Sequence, residues 1–227
     1  EGILVHPLQR AEGARVPLIM AVHGGPESHL RNGWVTRYLN PGQLGAARGY
    51  AVLYPNYRGS TGRGVKFSQL GQSDPAGQEF DDLVDAVEHL VKIGLVDREK
   101  VGITGGSYGG YAAAWAATRQ SGHFAAAVMF AGVSNRISKA GTNDIPEEAY
   151  LVNERFQPWT RWPFLLERSP IAHVEKARTP ILIAHGREDK RVHPEQAMQL
   201  YRHLKRLGRA PVRLVFYPGE GHGNRKA

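Results

Sequence analysis

Short apolar segments recur along the chain, and most of them show no alternation of polar and apolar residues. Strands with this pattern are usually covered on both faces, as in a parallel sheet. The segments are VPLIMAVHG (16–24), YAVLYPNY (50–57), KVGITG (100–105), AAAVMFAG (125–132), PILIAHG (180–186) and VRLVFYPG (212–219). We therefore predict that each of them forms a buried strand.

The segments between these strands show helical periodicity. In QEFDDLVDAVEHLVKIG (78–94), apolar residues recur at spacings of three and four, which places them on one helical face. The segment PEQAMQLYRHLKRLG (194–208) begins with a proline and carries basic residues before its terminal glycine, as helix ends commonly do. Strands that alternate with helices predict an α/β fold, a three-layer sandwich around a mostly parallel sheet.

The composition excludes several classes of protein and site. The 227 residues are 41% hydrophobic and 22% charged, which is ordinary for one globular domain. No segment is apolar for long enough to predict a membrane span. The absence of cysteine excludes disulfides and thiolate metal sites and leaves the cellular compartment open.

The distribution of charged residues predicts neither a nucleic-acid partner nor a metal site. The 29 Lys and Arg outnumber the 21 Asp and Glu, but they are scattered, and their densest group, RHLKRLGR (202–209), lies on a predicted helix. We therefore expect a solvated helix face and no nucleic-acid partner. The acidic residues of 81–88 lie opposite an apolar helix face with no histidine pair beside them, so we expect no metal site and no cofactor.

One serine stands among glycines in VGITGGSYGGYAAAWAA (101–117), where a predicted strand meets a predicted helix. The residues 105–109 match G-x-S-x-G, the nucleophile elbow, whose small neighbours permit a strained turn that exposes the serine hydroxyl. The helix N-terminus at this turn favours developing negative charge. We predict that Ser107 is a catalytic nucleophile.

A serine hydroxyl is a weak nucleophile, and it needs a base that a carboxylate orients. In an α/β-hydrolase the acid and then the histidine follow the serine, each after a strand. Asp189 follows the strand at 180–186, and His222 lies in a glycine-rich loop after the last strand. Glu188 is the alternative acid, but neighbouring residues of one turn point in different directions, and we favour Asp189.

Motifs of one family occur in order along almost the whole chain. They are HGGP (23–26), PNYRGSTG (55–62), GGSYGGY (105–111), AGVSN (131–135), HGREDKRV (185–192) and YPGEGHGNRK (217–226). With these motifs the sequence resembles the prolyl oligopeptidase family of serine peptidases, in particular its acylaminoacyl-peptidase and dipeptidyl-peptidase-like members. The resemblance implies an α/β-hydrolase fold, the triad Ser107, Asp189 and His222, and a peptide or small acyl substrate.

The resemblance also implies roles for residues around the triad. The backbone N–H of Tyr108 would belong to the oxyanion hole, Arg191 would bind a substrate carbonyl, and Val192 and Val133 would line the pocket for the residue before the scissile bond. Arg191 also fits an ordinary surface cation, because it lies in a run of charged residues.

The second oxyanion donor is open, because Arg63 stands where the family commonly has a tyrosine. The guanidinium is always charged and would favour an oxyanion more than a neutral phenol does, so we favour Arg63. The alternative donor is a backbone N–H of the HGGP motif, that of Gly25, since the following proline has none.

The resemblance extends to domain organisation. Family members usually carry a β-propeller before the hydrolase domain and a final helix after it. We therefore expect residues 1–227 to be an α/β-hydrolase catalytic domain that lacks both. Two other functions stay open from the sequence: a carboxylesterase or deacylase with the same triad, and a non-catalytic binding module.

Overall fold

The protein is described here by a computed structural model, which covers residues 1–33 and 40–223. Its centre is one sheet with the strand order β1-β3-β2-β4-β5-β6-β7. The strands are β1 (Gly2–Val5), β2 (Val16–Val22), β3 (Ala51–Pro55), β4 (Val96–Gly106), β5 (Ala126–Phe130), β6 (Ile181–Gly186) and β7 (Val212–Tyr217). Strand β1 runs antiparallel to β3, and every other neighbouring pair is parallel. The predicted mostly parallel sheet is confirmed.

Helical segments connect the strands. The α-helices are α1 (Gly42–Ala47), α2 (Val65–Ser68), α3 (Gln78–Lys92), α4 (Tyr108–Thr118), α5 (Arg136–Gly141), α6 (Pro146–Glu148), α7 (Trp162–Glu167) and α8 (Glu195–Leu207). Helices α3 and α8 occupy the segments in which the sequence predicts helices. Helix α8 ends at Gly208, whose φ of 64° is the left-handed conformation that favours glycine.

Helices cover both faces of the sheet. On one face, α3, α4 and α8 pack their apolar residues against alternate residues of the strands, and together they form the main core. On the other face, Ala21, Val52 and Tyr54 are buried, and α1 lies there with Gly45 against Val52. These layers form the α/β-hydrolase fold, with the predicted three-layer arrangement.

The parallel strands bring the sequence motifs together. Loops that follow the carboxyl ends of β2, β4, β6 and β7 meet at one edge of the sheet. These loops carry HGGP, the serine elbow, the segment of Asp189 and the segment of His222. Ligands of open α/β sheets bind at this edge.

Candidate active site

Ser107 lies in a sharp turn between a strand and a helix, as the sequence predicts. Strand β4 ends at Gly106 and α4 begins at Tyr108, so only the serine separates them. Its φ of 58° and ψ of −118° are sparsely populated by residues with a side chain, and such a conformation costs about 1–3 kcal/mol. Hydrogen bonds hold the turn, since its N–H donates to Phe130 O at 3.0 Å and its carbonyl accepts from Tyr111 N at 2.9 Å.

The glycines of the elbow allow backbones to approach each other closely. A Cβ atom on Gly109 would lie 2.0 Å from the carbonyl oxygen of Val22, and one on Gly110 would lie 2.5 Å from that of Phe130. Both distances are far below van der Waals contact. The glycines are therefore required because α4 begins directly against the neighbouring strand ends.

Asp189 and His222 are joined directly. His222 Nδ1 lies 2.8 Å from Asp189 Oδ2, although 33 residues separate them in the chain. The other carboxylate oxygen, Oδ1, accepts the backbone N–H groups of Arg191 at 2.9 Å and Val192 at 3.0 Å. Asp189 is thereby fixed on its own loop while it holds the imidazole.

A second histidine, His185, contacts the same carboxylate. Its Nε2 lies 3.1 Å from Asp189 Oδ2 and 2.8 Å from Val192 O, while its Nδ1 is buried and has no hydrogen-bond partner among residues 1–33 and 40–223. The sequence analysis does not single out this histidine. Its position four residues before the acid is the signal that could have indicated the contact.

Asp189 is held in its ionised form. Burial favours the neutral acid, but hydrogen bonds from His185, His222 and the Val192 N–H together lower the pKa of Asp189 well below its usual range. A carboxylate that stays ionised can orient His222 and stabilise the imidazolium that forms when the ring accepts a proton.

Ser107 and His222 line one cavity of about 340 Å³ together with His23, Gly24 and Phe130. No hydrogen bond joins the serine hydroxyl to the imidazole in the described part of the chain. Catalytic hydrogen bonds of this kind are often loose before a substrate binds and tighten in its complex. The cavity brings a serine and a histidine together, and the histidine is bound to a carboxylate; these are the three side-chain types that acyl transfer by a serine uses.

Two backbone segments lie next to the serine. Tyr108 takes the first position of α4, where an N–H has no acceptor within the helix. The HGGP loop lies against the elbow, since a Cβ on Gly24 would be 3.2 Å from Ser107 Cβ. Gly25 lines a small cavity with Ser107 and Tyr108.

Arg63 is not brought to the serine, which corrects our preference for it as the second oxyanion donor. Its guanidinium pairs with Glu1, and 61% of the side chain is exposed. It lines a different cavity, beside β1, whose lining does not include Ser107. The preference rested on charge and side-chain length, which do not determine the direction of an exposed loop residue.

The three residues expected to contact substrate do come together with Ser107. Val133, Val192 and Arg191 line the small cavity that also contains Gly25, and both valines are almost fully buried. We call this space, of about 40 Å³, the Val133 cavity. The Arg191 guanidinium is bound to Asp144, which lies between α5 and α6. The sequence does not indicate this partner.

A buried glutamate, Glu79, contacts the first residue of α4 after the elbow, and the sequence analysis does not single it out. The Tyr108 hydroxyl donates to Glu79 of α3, which also accepts the Ala76 N–H at 2.8 Å. Only 1% of Glu79 is exposed, and burial raises its pKa to about 8. A glutamate directly before the apolar face of α3 was the available signal.

Within residues 1–33 and 40–223, no group of three or more histidine, aspartate or glutamate side chains is arranged to hold a metal ion. No helix in these ranges is both long and apolar enough to cross a membrane.

Comparison with known proteins agrees with this geometry. A model of the prolyl oligopeptidase family matches residues 36–227. Dipeptidyl aminopeptidase BIII of Pseudoxanthomonas mexicana is 38% identical over 217 residues, which are 92% of this chain and 30% of that protein. The human acylamino-acid-releasing enzyme is 34% identical over 230 residues, which are 98% of this chain and 30% of the enzyme.

A solved structure shows the same fold. Acylaminoacyl peptidase of Pyrococcus horikoshii superposes with a TM-score of 0.88 at 30% identity, over 98% of this chain and 35% of that one. The chain spans about a third of the length of the curated relatives that it matches. Because the family model covers most of its residues, the chain belongs to the prolyl oligopeptidase family.

Proposed function

We propose that the protein is a serine peptidase that cleaves peptide or acyl-peptide bonds through an acyl-enzyme on Ser107. The observation that carries the proposal is the Asp189–His222 pair, whose histidine lines the same cavity as a serine held in an elbow. Relatives named as an aminopeptidase and as an acylamino-acid-releasing enzyme support this reading.

In the proposed reaction, Ser107 Oγ attacks the scissile carbonyl carbon and His222 Nε2 accepts the hydroxyl proton. The C–N bond then breaks, and His222 returns the proton to the leaving amine. A water molecule repeats the sequence on the resulting ester, which releases the acid and restores the serine. Asp189 holds Nδ1 throughout, so that Nε2 faces the serine as the base.

The proposed oxyanion hole consists of the backbone N–H groups of Tyr108 and Gly25. Two donors are usual for a tetrahedral oxyanion, and preorganised backbone donors need no rearrangement during the reaction. The β-propeller and final helix expected from the resemblance stay predictions, as does the role of Arg191 in binding a substrate carbonyl.

A fluorophosphonate should label the protein at Ser107, because a base-activated serine attacks phosphorus while fluoride leaves. Ser107→Ala should abolish labelling, and Ser68→Ala, at a partly exposed serine of α2, should leave it unchanged. The modified residue is located by mass spectrometry of the digested protein. Full labelling of the Ser107→Ala variant would rule out the proposed nucleophile.

Relative rates on two substrates separate the peptidase from an esterase or deacylase with the same triad. The full protein is assayed with a peptide anilide and with a short p-nitrophenyl ester. Turnover of the ester alone would assign the esterase function, and turnover of neither by a folded protein that the fluorophosphonate does not label would favour a binding module.

The assignment of the second oxyanion donor gives another prediction. Arg63→Ala should lower kcat by less than about tenfold, because its guanidinium pairs with Glu1 and not with the serine site. Loss of a true oxyanion donor typically costs about 10²–10³ in kcat. Steady-state kinetics on the anilide measure this, and a loss in the larger range would restore Arg63 to the oxyanion hole.

A further inference from the structure

The Val133 cavity has charged side chains in its lining as well as valines. Helix α5 contributes Arg136 and Lys139, which are three residues apart and therefore lie on one helical face. Glu148 and Glu154 of the following segment complete the charged part of the lining together with Arg191. The pocket next to the serine therefore presents charged side chains as well as apolar ones to a substrate.

Two of these three cations already have carboxylate partners. Arg136 forms a buried ion pair with Glu154, and their side chains are only 5% and 9% exposed. Arg191 pairs with Asp144. Within the buried pair, Nε of Arg136 and Oε2 of Glu154 make no hydrogen bond to any residue that the structure describes.

Lys139 is the cation of this cavity that has no such partner. Within residues 1–33 and 40–223, no carboxylate lies within 4.0 Å of its amine, and the amine makes no hydrogen bond. Burial lowers its pKa to about 8, and the charges of Arg136 and Arg191 act in the same direction. The carboxylates of Glu148 and Asp144 raise the pKa and so oppose this shift, and with a pKa of about 8 the amine is mostly protonated at neutral pH.

A partly buried ammonium without a counter-ion is unfavourable, and a substrate carboxylate would relieve it. The space is also small. A volume of about 40 Å³ accommodates about three water-sized groups, which suits a carboxymethyl group better than a longer or aromatic side chain.

We propose that Lys139 is a specificity-determining residue, which selects an acidic side chain, aspartate above all, at the residue before the scissile bond. This rests on the proposed function, because it takes Ser107 as the nucleophile and the Val133 cavity as the pocket for that residue. The substrate class is thus peptides or acyl-peptides cut after an acidic residue. Among the described residues, Glu148 is the one lining carboxylate without a cation partner within 4.0 Å. If Glu148 contacted the substrate in place of Lys139, the pocket would select a basic side chain, which is the competing outcome of the test.

The test compares dipeptide anilides that differ only in the residue before the anilide, with free and acetylated N-termini. The full protein should hydrolyse the aspartyl substrate with a kcat/KM about 10- to 100-fold above that of its isosteric asparaginyl counterpart, which is the usual range for a charge-assisted hydrogen bond. Equal values for this pair, or a preference for lysyl or arginyl substrates, would overturn the proposal.

Lys139→Met keeps the length of the side chain and removes the charge. This variant should lose most of the aspartyl preference, so that the ratio of its kcat/KM values on the aspartyl and asparaginyl substrates falls towards one. Lys205→Met, at an exposed lysine of α8, makes the same change in net charge far from the cavity and should keep the preference. A preference that survives in Lys139→Met would assign the selection to another group.

The wild-type protein offers a test without any substitution. The titration of the catalytic groups affects kcat/KM for the aspartyl and asparaginyl substrates equally, so it divides out of the ratio of the two values. This ratio should be highest where Lys139 is protonated and should decline as the pH rises through about 8. A ratio that stays constant from pH 6 to about 10 would contradict the role of the amine.

Failure of this proposal is separable from failure of the proposed function. If Ser107→Ala abolishes fluorophosphonate labelling while the aspartyl substrate has no advantage, only the role of Lys139 is wrong. If labelling persists in Ser107→Ala, the nucleophile itself is wrong and the pocket has to be assigned anew.

Discussion

Replacing His222 with alanine should lower kcat on a peptide anilide by about 10⁴-fold or more, with little change in KM. The variant keeps the serine, the carboxylate and the pocket, but nothing accepts the hydroxyl proton as the serine attacks. Removing one member of a serine triad has an effect of this size in well-studied proteases. Steady-state and single-turnover kinetics measure the loss in the chemical step.

The matched control for this experiment is His203→Ala, which removes a histidine at an exposed position of α8. It should retain wild-type kcat and labelling. A loss of less than about 100-fold in His222→Ala would mean that another group serves as the base. His185 would be the first residue to test, since its ring also contacts Asp189.

Gly109→Ala should destabilise the hydrolase domain and abolish fluorophosphonate labelling. The added methyl would lie 2.0 Å from Val22 O and 3.1 Å from His23 O, so either α4 or the end of β2 has to move. Overpacking against backbone costs about 3 kcal/mol or more, which corresponds to a fall in melting temperature of about 10 °C for a domain of this size. Thermal unfolding and labelling are measured on the same sample.

Gly122→Ala is the control for the added methyl group. Apart from its chain neighbours, no atom of the described residues lies within 4 Å of a Cβ built on Gly122, and its φ is not in the left-handed region. The melting temperature of this variant should change by no more than about 2 °C. Equal stability of the two variants would show that the elbow can adapt to a side chain, against the close packing described above.

The layout of the fold follows from short-range patterns in the sequence. Buried parallel strands and amphipathic helices leave signals within ten to twenty residues. Edge strand β1 was not predicted, because four residues at the margin of a sheet show no periodicity. Strand β4 begins at Val96, earlier than the apolar segment, because polar residues such as Glu99 continue it beyond the core.

The order and loop positions of Ser107, Asp189 and His222 were predictable because strand ends of a parallel sheet converge. The contacts of individual long side chains were not. Arg191 meets Asp144 across 47 residues, and Tyr108 meets Glu79 across 29. Such pairs depend on how loops and helices pack in space, for which the local sequence has no signal. The direction of the Arg63 side chain could not be predicted for the same reason.

The glycine packing around the elbow also bears on how this protein can diverge. The turn that carries Ser107 is held by contacts between backbones, so the positions around it have almost no freedom to vary without loss of the fold. The Val133 cavity is lined largely by side chains of α5 and the segment after it, where exchanges alter charge and volume but leave the sheet intact. The two regions therefore differ in how freely they can evolve. New substrate preferences can arise by point substitution in α5 and the segment after it, while the turn that carries Ser107 is inherited unchanged.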